Sequence, residues 1–216
     1  MEEVYMDAFL ALLLIFFVFY LTIFAAAVLN LIATYVLKSL GMYTIAKRRG
    51  ISKPWLAWVP FGQSWMLGCI SDQYQMVAKG KQKSKRRLLL TLDIAYCVIY
   101  GLYMLATYAG ELSPLLLQSG AGEAVEILLF VQSLCMFVFG ISVMVISITY
   151  TVYHYIAFYD LYRSCNPRTA VLFLILNIFL PTVVGAVFVL VDCKKDLGMP
   201  APDDGFEAAV LQEPAE

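Results

Sequence analysis

Residues 9–37 read FLALLLIFFVFYLTIFAAAVLNLIATYVL, a run of 29 residues without a charged side chain. A helix needs about 20 apolar residues to cross a bilayer, and this run would form a helix about 43 Å long. Because a hydrocarbon core is about 30 Å thick, the helix has to tilt or protrude. The run therefore predicts a transmembrane helix. Its acidic start at Glu2 and Glu3 argues against a cleavable signal peptide, which begins with basic residues.

The rest of the 216-residue chain has a similar composition, with 62% hydrophobic and 14% charged residues. Soluble domains have about 45–50% and about 25%, so the composition excludes a soluble enzyme and a nucleic-acid-binding domain. Further apolar segments follow at residues 88–109, 127–153 and 170–191. We predict an all-α integral membrane helix bundle, with about four membrane segments in one domain over residues 1–191. Residues 192–216 are predicted to be a disordered acidic tail.

The basic residues are concentrated in one connection, and this predicts the orientation of the chain. Residues 38–87 hold 11 of the 15 Lys and Arg residues and a single acid, Asp72. Residues 1–8 and 110–126 contain acids and no base. Because cytoplasmic loops carry the excess of Lys and Arg, we place residues 38–87 in the cytoplasm and the N-terminus outside.

The fourth apolar segment, residues 170–191, is open to two topologies. Its 22 residues are enough to span, but Pro181 in the middle removes a helical hydrogen bond and kinks or breaks the helix. Arg168 before the segment and Lys194 after it give both flanks a cytoplasmic character. Length favours a kinked fourth span with the C-terminal tail outside, which we take as the prediction. Flanking charge favours a re-entrant hairpin with the tail inside, so the side of the C-terminus stays open.

The three Trp residues lie close together in the cytoplasmic connection. Residues 55–70 contain Trp55, Trp58 and Trp65, and Pro60 and two glycines interrupt the stretch. Trp prefers the headgroup region of a bilayer, and this stretch is too short and too broken to span. We therefore predict a short interfacial or shallow re-entrant helical element on the cytoplasmic leaflet, with a helix break at Pro60.

A polybasic segment precedes the second predicted span. Its cationic side chains are Lys79, Lys81, Lys83, Lys85, Arg86 and Arg87. Such a segment lies against anionic lipid headgroups, at about 1 kcal/mol for each basic residue, or it docks an acidic partner. Lipid contact is the simpler interpretation. Together with the three Trp residues, this segment forms the predicted interaction surface.

Two stretches carry a resemblance to a known family. Residues 43–75 include Trp-Leu-Ala-Trp-Val-Pro at 55–60, and residues 161–200 end in Lys-Asp-Leu-Gly-Met-Pro at 195–200. Together they resemble an uncharacterised family of small multi-pass membrane proteins from Clostridia-like bacteria. The resemblance covers about a third of the chain, with a departure at Gln63, where such proteins often carry Asn. It implies a bacterial inner-membrane setting and no particular activity.

Two polar stripes provide a candidate site within the predicted spans. Asp93 is the only acid inside a span, and Tyr96 and Tyr100 share its helix face. Tyr150 and His154 share one face of the third span, and His154 lies at the cytoplasmic end, as Asp93 does. The functional interpretation is a proton- or ligand-responsive site in which the two groups pair. The simpler alternative is an interfacial ion pair, or two side chains that reach toward the headgroups.

The sequence contains no enzyme motif, and its five scattered Cys residues and single His do not suggest a metal site. We therefore predict no enzyme, no cofactor and no nucleic-acid partner, with an unrecognised intramembrane enzyme as the exception. The predicted function is a non-enzymatic accessory or interaction component of a bacterial inner membrane, acting through the basic Trp-rich element. Its contacts are the lipid bilayer with its anionic headgroups and a membrane-protein partner or a second copy. The alternative is a small oligomeric transporter or channel that uses the stripes around Asp93 and His154.

Overall fold

The computed structural model describes residues 2–80, 84–111, 122–180, 183–192, 194 and 196–199. The predicted all-α bundle is confirmed. The long helices are α1 (Glu2–Arg48), α3 (Lys85–Glu111) and α4 (Gly122–Cys165). The shorter elements are a 3-10 helix (Pro54–Trp58), α2 (Pro60–Lys79), α5 (Ala170–Phe179) and α6 (Val183–Asp192).

Three helices are long and apolar enough to cross a membrane, over Tyr5–Arg48, Lys85–Glu111 and Glu126–Cys165. They contain the first three predicted spans, and each helix extends beyond the predicted bounds. The end of α1 shows why it stops where it does. Gly50 adopts a left-handed φ of 65°, and the Ile51 N–H donates to the Ala46 carbonyl at 3.0 Å. This closure satisfies a carbonyl that the last helical turn leaves open.

The spanning part of α1 packs against none of the described elements. Apart from Ala8, whose side chain is not described, residues 5–33 are exposed over their whole length. Their apolar side chains need no protein partner inside a membrane, because hydrocarbon surrounds them on all sides. In contrast, α3 and α4 pack along each other, and the Gln132 amide donates to the Ala106 carbonyl at 3.0 Å.

The packed core lies where α1 and α4 end, and we call this part of the molecule the basal end. Every helix contributes buried side chains to it. They are Met42, Ile45, Ala46, Ala57, Met66, Leu67, Ile70, Leu89, Ala157, Phe158, Leu161, Tyr162, Cys165, Ala170 and Val189. The elements that follow the spans therefore hold the spans together at one end.

α2 is the central helix of the basal end, and its glycines do not interrupt it. It contacts α1, α3 and α4, and half of its 20 residues are buried. Pro60 is its first residue, where the missing N–H leaves no hydrogen bond unmade. Gly62 and Gly68 are contact points, since an added Cβ would overlap the Leu56 carbonyl oxygen and the Arg86 Cα. The predicted interfacial stretch therefore consists of a 3-10 helix that exposes its two Trp residues and a helix packed inside the protein.

α5 and α6, which make up the described part of residues 170–191, pack against each other as a helical hairpin, so the prediction of one kinked span is wrong. The rings of Phe173 in α5 and Phe188 in α6 stack with centroids 3.9 Å apart. Residues this far apart in one continuous helix would be separated by about 22 Å. An apolar segment of this length can form either one span or a hairpin. Its length and composition therefore do not distinguish the two structures. Pro181, the predicted break, lies outside the described residues.

The hairpin returns the chain to the basal end. The Leu197 N–H donates to the Cys165 carbonyl at 3.0 Å, so the residues after α6 meet the end of α4. α6 crosses α1 closely at Gly41, where an added Cβ would lie 2.7 Å from Val189 Cγ1. α5 and α6 have ten residues each, and each is about 15 Å long, half the thickness of a hydrocarbon core.

Candidate functional site

Asp93 is joined to two other helices by a short polar chain. Its carboxylate accepts a hydrogen bond from the Ser64 hydroxyl at 2.7 Å. The Ser64 oxygen is also 3.4 Å from the Tyr150 hydroxyl. The first turns of α2 therefore link α3 to α4 at the depth of Asp93. Ser64 was not among the predicted site residues, because nothing in its own segment indicates the contact.

A ladder of aromatic rings brings together the remaining predicted site residues. Tyr96 stacks with Tyr100 at a centroid distance of 5.7 Å and with Tyr150 at 6.5 Å. Tyr150 stacks in turn with His154 at 5.1 Å. The five predicted residues thus lie in one cluster. Asp93 and His154 do not pair directly, however, since no hydrogen bond or ion pair joins them in the described part of the chain.

Lys38 of α1 extends this cluster to a fourth helix. Its ammonium lies 5.0 Å from the centroid of the Phe158 ring. It is also within electrostatic range of the Asp93 carboxylate and the His154 imidazole. From the sequence, Lys38 was only one of the 11 basic residues in the connection that follows the first predicted span. We call Lys38, Ser64, Asp93, Tyr150 and His154 the membrane-side cluster.

A second polar centre, absent from the predicted site, surrounds Asp160 in the basal end. Asp160 is 1% exposed, and its carboxylate accepts hydrogen bonds from Ser71 at 2.7 Å and Gln75 at 2.8 Å. The Lys85 ammonium donates to it at 2.6 Å, and the Lys79 ammonium lies 3.6 Å away. The two lysines and two neutral donors satisfy one buried carboxylate. This centre joins α2, α3 and α4.

The polybasic segment is not one continuous surface. Lys85 was predicted to lie on that surface, but it is buried because its ammonium pairs with Asp160. The Arg86 guanidinium lies over the Trp65 ring, 5.7 Å from its centroid, so Trp65 is also partly covered. The start of α3 is capped by Asp72, whose oxygens accept the Lys85 and Arg86 backbone N–H groups at 2.8 and 3.0 Å. Burial raises the pKa of Asp72, against the two hydrogen bonds, which lower it.

Four exposed residues around the start of α2 form an aromatic strip: Trp55, Trp58, Val59 and Phe61. Trp55 is 58% exposed and Trp58 is 42% exposed. The strip is held against α1 because the Tyr35 hydroxyl donates a hydrogen bond to the Trp58 carbonyl. Two of the three predicted Trp residues therefore present their rings to the surroundings.

The charges of the basal end are divided between its inside and its surface. Its acids are buried or bonded to protein groups: Asp72, Asp160, Asp192 and Asp196. In the described part of the chain, the exposed cations that form no ion pair with an acid make up what we call the cationic face: Lys47, Lys53, Arg87, Arg163, Arg168 and Lys194. Of the predicted surface, Arg87 belongs to this face, and Lys79 is exposed with its ammonium 3.6 Å from the Asp160 carboxylate. Lys81 and Lys83 lie outside the described residues.

Asp196 binds the two arginines at the end of α1. Its carboxylate accepts hydrogen bonds from Arg49 Nε at 2.9 Å and pairs with Arg48 Nε at 2.5 Å. Arg49 also donates to the Ser164 hydroxyl at 3.0 Å, and only 3% of its side chain is exposed. The acid that compensates this buried guanidinium thus comes from a distant part of the chain.

Residues 196–199 form a clasp on the end of α4. The Leu197 and Gly198 N–H groups donate to the carbonyls of Cys165 and Ser164, at 3.0 and 3.1 Å. These are carbonyls that the last turn of a helix leaves without partners. A Cβ at Gly198 would overlap the Arg163 carbonyl oxygen, so only glycine fits this approach. The clasp gives a physical role to part of the stretch on which the family resemblance rests.

Within the residues that the structure describes, no group of three or more His, Cys, Asp or Glu residues is placed to hold a metal ion. No family model, curated protein or solved structure matches the chain. The resemblance to a bacterial membrane-protein family and the absence of a cofactor therefore stay predictions. The function has to be argued from the geometry of the cationic face, the aromatic strip and the membrane-side cluster.

Proposed function

We propose that this chain is a non-enzymatic accessory component of a bacterial inner membrane, and that it acts by binding a partner at the basal end. The observation that carries this proposal is the division of charge there. Among the described residues, the acids of the basal end are buried or bonded to protein groups, while the six exposed cations of the cationic face form no ion pair with an acid. An outward cationic face suits anionic lipid headgroups and the acidic surface of a membrane-protein partner.

The proposal places the basal end in the cytoplasm and the N-terminus outside. The excess of Lys and Arg supports this orientation, because such residues mark the cytoplasmic side of a membrane protein. The hairpin of α5 and α6 is then a re-entrant element that enters from the cytoplasmic side. Its half-bilayer length and the return of residues 196–199 to the end of α4 support that arrangement. The C-terminal tail would follow on the same side.

The aromatic strip supplies the second part of the proposed contact. Exposed Trp rings beside basic side chains are typical of the membrane–water interface, where both groups find favourable partners. The strip lies next to the bare spanning part of α1, so a partner helix beside α1 would touch the strip as well. We therefore place the partner in the membrane, in contact with α1, the strip and the cationic face.

Photocrosslinking in the native membrane tests this contact. A photoreactive residue in place of Phe61 is expected to give a discrete adduct with one membrane protein. The same residue in place of Met144, an exposed position on α4, is expected to give lipid adducts only. The Arg163→Glu/Arg168→Glu variant replaces two cations of the cationic face with acids. It should lower the yield of the Phe61 adduct about fivefold for each arginine replaced. Lipid adducts alone at both positions would overturn the proposal.

A transporter is the second candidate, and the membrane-side cluster favours it. Four helices contribute polar side chains at one depth, where α1 separates from the α3–α4 pair. Ionisable side chains within membrane spans mark ion and proton pathways in many transporters. The cluster is thus the place where a coupling ion would bind.

Flux measurements on the full chain in liposomes test the transporter. We expect a proton or cation flux above that of empty vesicles, and we expect Asp93→Asn to abolish it because the variant removes the anionic group. Glu111→Gln is the matched control, since Glu111 is an exposed acid at the other end of α3. A wild-type chain with no flux, or equal losses in the two variants, would remove this candidate.

A further inference from the structure

The clasp places residue 199 beside two exposed arginines at the end of α4. Gly198 packs on this part of the molecule, because an added Cβ would overlap the Arg163 carbonyl oxygen and lie 3.1 Å from Pro167 Cγ. The Met199 N–H then closes a turn by donating to the carbonyl three residues earlier, at 3.1 Å. Arg163, and Arg168 next to Pro167, therefore lie beside the point at which the following residues begin.

Neither arginine has an acidic partner in the part of the chain that the structure describes. The Arg163 guanidinium donates to the Tyr159 hydroxyl at 3.2 Å and lies over the Tyr159 ring, and both groups are neutral. Arg168 is exposed, and its guanidinium forms none of the ion pairs found among the described residues. By contrast, the arginines at the end of α1 share the Asp196 carboxylate. Two positive charges at the end of α4 thus remain without a described counter-charge.

The segment that follows the clasp carries the opposite charge. Residues 200–216, which we call the acidic segment, lie outside the described residues and contain no Lys, Arg or His. Their acids are Asp203, Asp204, Glu207, Glu213 and Glu216. The first two are four and five residues beyond Met199, so an extended chain carries them up to about 13–18 Å from it. Arg163, whose backbone Gly198 touches, lies within this reach.

We propose that Asp203 and Asp204 bind Arg163 and Arg168, so that the acidic segment docks on the end of α4. Exposed ion pairs are individually weak. A short connection, however, gives the acidic segment an effective concentration in the millimolar range, which favours it over a second copy or a free anion. The docking holds for either orientation of the spans, because residue 199 lies at the basal end and the acidic segment begins on that side of the membrane.

The docked segment would compete with an acidic partner of the cationic face. Arg163 and Arg168 belong to that face, and the proposed partner contact uses them. The acidic segment would then act as a built-in competitor that a partner has to displace. This consequence rests on the proposed function, whereas the docking itself does not.

Photocrosslinking within the purified full chain tests the docking. A photoreactive phenylalanine replaces Phe206, two residues after Asp204, and the chain is kept in an uncharged detergent without partner or anionic lipid. We expect an adduct between residue 206 and residues 159–168 of the same chain. The Arg163→Glu/Arg168→Glu variant should lower the yield of this adduct about fivefold, the effect of losing two exposed ion pairs.

The matched control changes the same number of charges on other elements of the cationic face. Lys53 precedes the 3-10 helix and Arg87 lies in the first turn of α3, and both are exposed. The Lys53→Glu/Arg87→Glu variant should change the adduct yield less than about twofold. Equal losses in the two double variants would overturn the proposal, because they would show diffuse attraction in place of docking on α4.

A charge swap identifies the pairing groups. The Asp203→Arg/Asp204→Arg variant should lower the adduct yield about fivefold by itself. Its combination with Arg163→Glu/Arg168→Glu should restore most of the yield, because the opposite charges face each other again. A yield that stays low in the combined variant would contradict the proposed pairing.

Two measurements on the chain with its own arginines cover the case in which the variants do not fold. Raising the ionic strength from about 0.1 to about 1 M shortens the Debye length from about 10 to about 3 Å, so the adduct yield should fall several-fold. An unchanged yield would contradict an ionic contact. In an equal mixture of nitrogen-14 and nitrogen-15 chains, each adduct should carry a single label, and mixed labels would identify a second copy as the occupant.

The docking and the proposed function can fail separately. The adduct of residue 206 is measured on a purified chain, so it does not depend on a partner. If the Phe61 position gives lipid adducts only in the native membrane, the proposed partner contact is wrong while the docking stands. If residue 206 gives no adduct with residues 159–168, the docking is wrong whatever the Phe61 position shows.

Discussion

Asp160→Asn is expected to lower the free energy of unfolding by about 3–5 kcal/mol, the usual result of removing one partner of a buried ion pair. The carboxylate is 1% exposed, and Lys85 donates to it at 2.6 Å. Asparagine keeps the shape of the side chain and one acceptor oxygen. It leaves the buried Lys85 ammonium without a counter-charge, and this is the source of the loss.

Unfolding by sodium dodecyl sulfate in mixed micelles, followed by Trp fluorescence, measures this effect. The double variant Asp160→Asn/Lys85→Met should recover part of the lost stability, because it also removes the uncompensated charge. Glu111→Gln changes an exposed acid in the same way and should stay within about 0.5 kcal/mol of the wild type. Similar stabilities for Asp160→Asn and Glu111→Gln would show that the Asp160 centre does not stabilise the fold.

Gly198→Ala is expected to destabilise the chain by about 3 kcal/mol, at the upper end of the usual cost of overpacking. The added Cβ would overlap the Arg163 carbonyl oxygen. This oxygen belongs to the backbone of α4, so it cannot move by a change of side-chain rotamer. The clasp has to lift, and this breaks the hydrogen bonds from Leu197 and Gly198 to the end of α4. The contacts of Asp196 with Arg48 and Arg49 would weaken with them.

Thermal unfolding and limited proteolysis within residues 196–199 report on this change. Gly101→Ala is the matched control, since an added Cβ on Gly101 meets no atom within 4 Å. That variant should be neutral or more stable by less than about 1 kcal/mol, because alanine is the better helix former. If the two variants melt at the same temperature and are cut at the same rate, the clasp does not depend on glycine.

The spans were predictable because the insertion of a helix into a bilayer depends on the apolar composition of that segment. The apolar side chains of residues 9–37 are sufficient to place this segment in a membrane, and no contact with another segment is required. The ring stacking of Tyr96 with Tyr100 likewise follows from spacing along one helix. In both cases the determining information lies within one short segment.

The basal end was less predictable because it depends on contacts between distant segments. Lys85 looks like any residue of a solvated basic run, and only Asp160, 75 residues later, makes it an internal group. Gly68 looks like a helix break, but it is the point where α3 approaches α2. The packing of α5 on α6 depends on contacts between the two helices, such as the stacking of Phe173 on Phe188, and the length of the segment does not predict it.

Sequence periodicity predicted only those parts of the candidate site that lie on one face of a single helix. The faces that hold Tyr96 and Tyr150 followed from helical spacing, but Ser64 and Lys38 come from other helices. No local pattern brings either residue to the site. α2 carries Ser64 to Asp93, and the approach of α1 to α4 carries Lys38 to Phe158.

The pairing of Arg49 with Asp196 has a consequence for biosynthesis. The two residues are 147 positions apart, so at about 5–20 residues per second the ribosome makes Asp196 about 7–30 s after Arg49. During that time Arg49 lacks the carboxylate that pairs with it in the basal end. A chain that stops before residue 196 keeps that arginine exposed or unpaired. The clasp can therefore form only after all three spans have been synthesised.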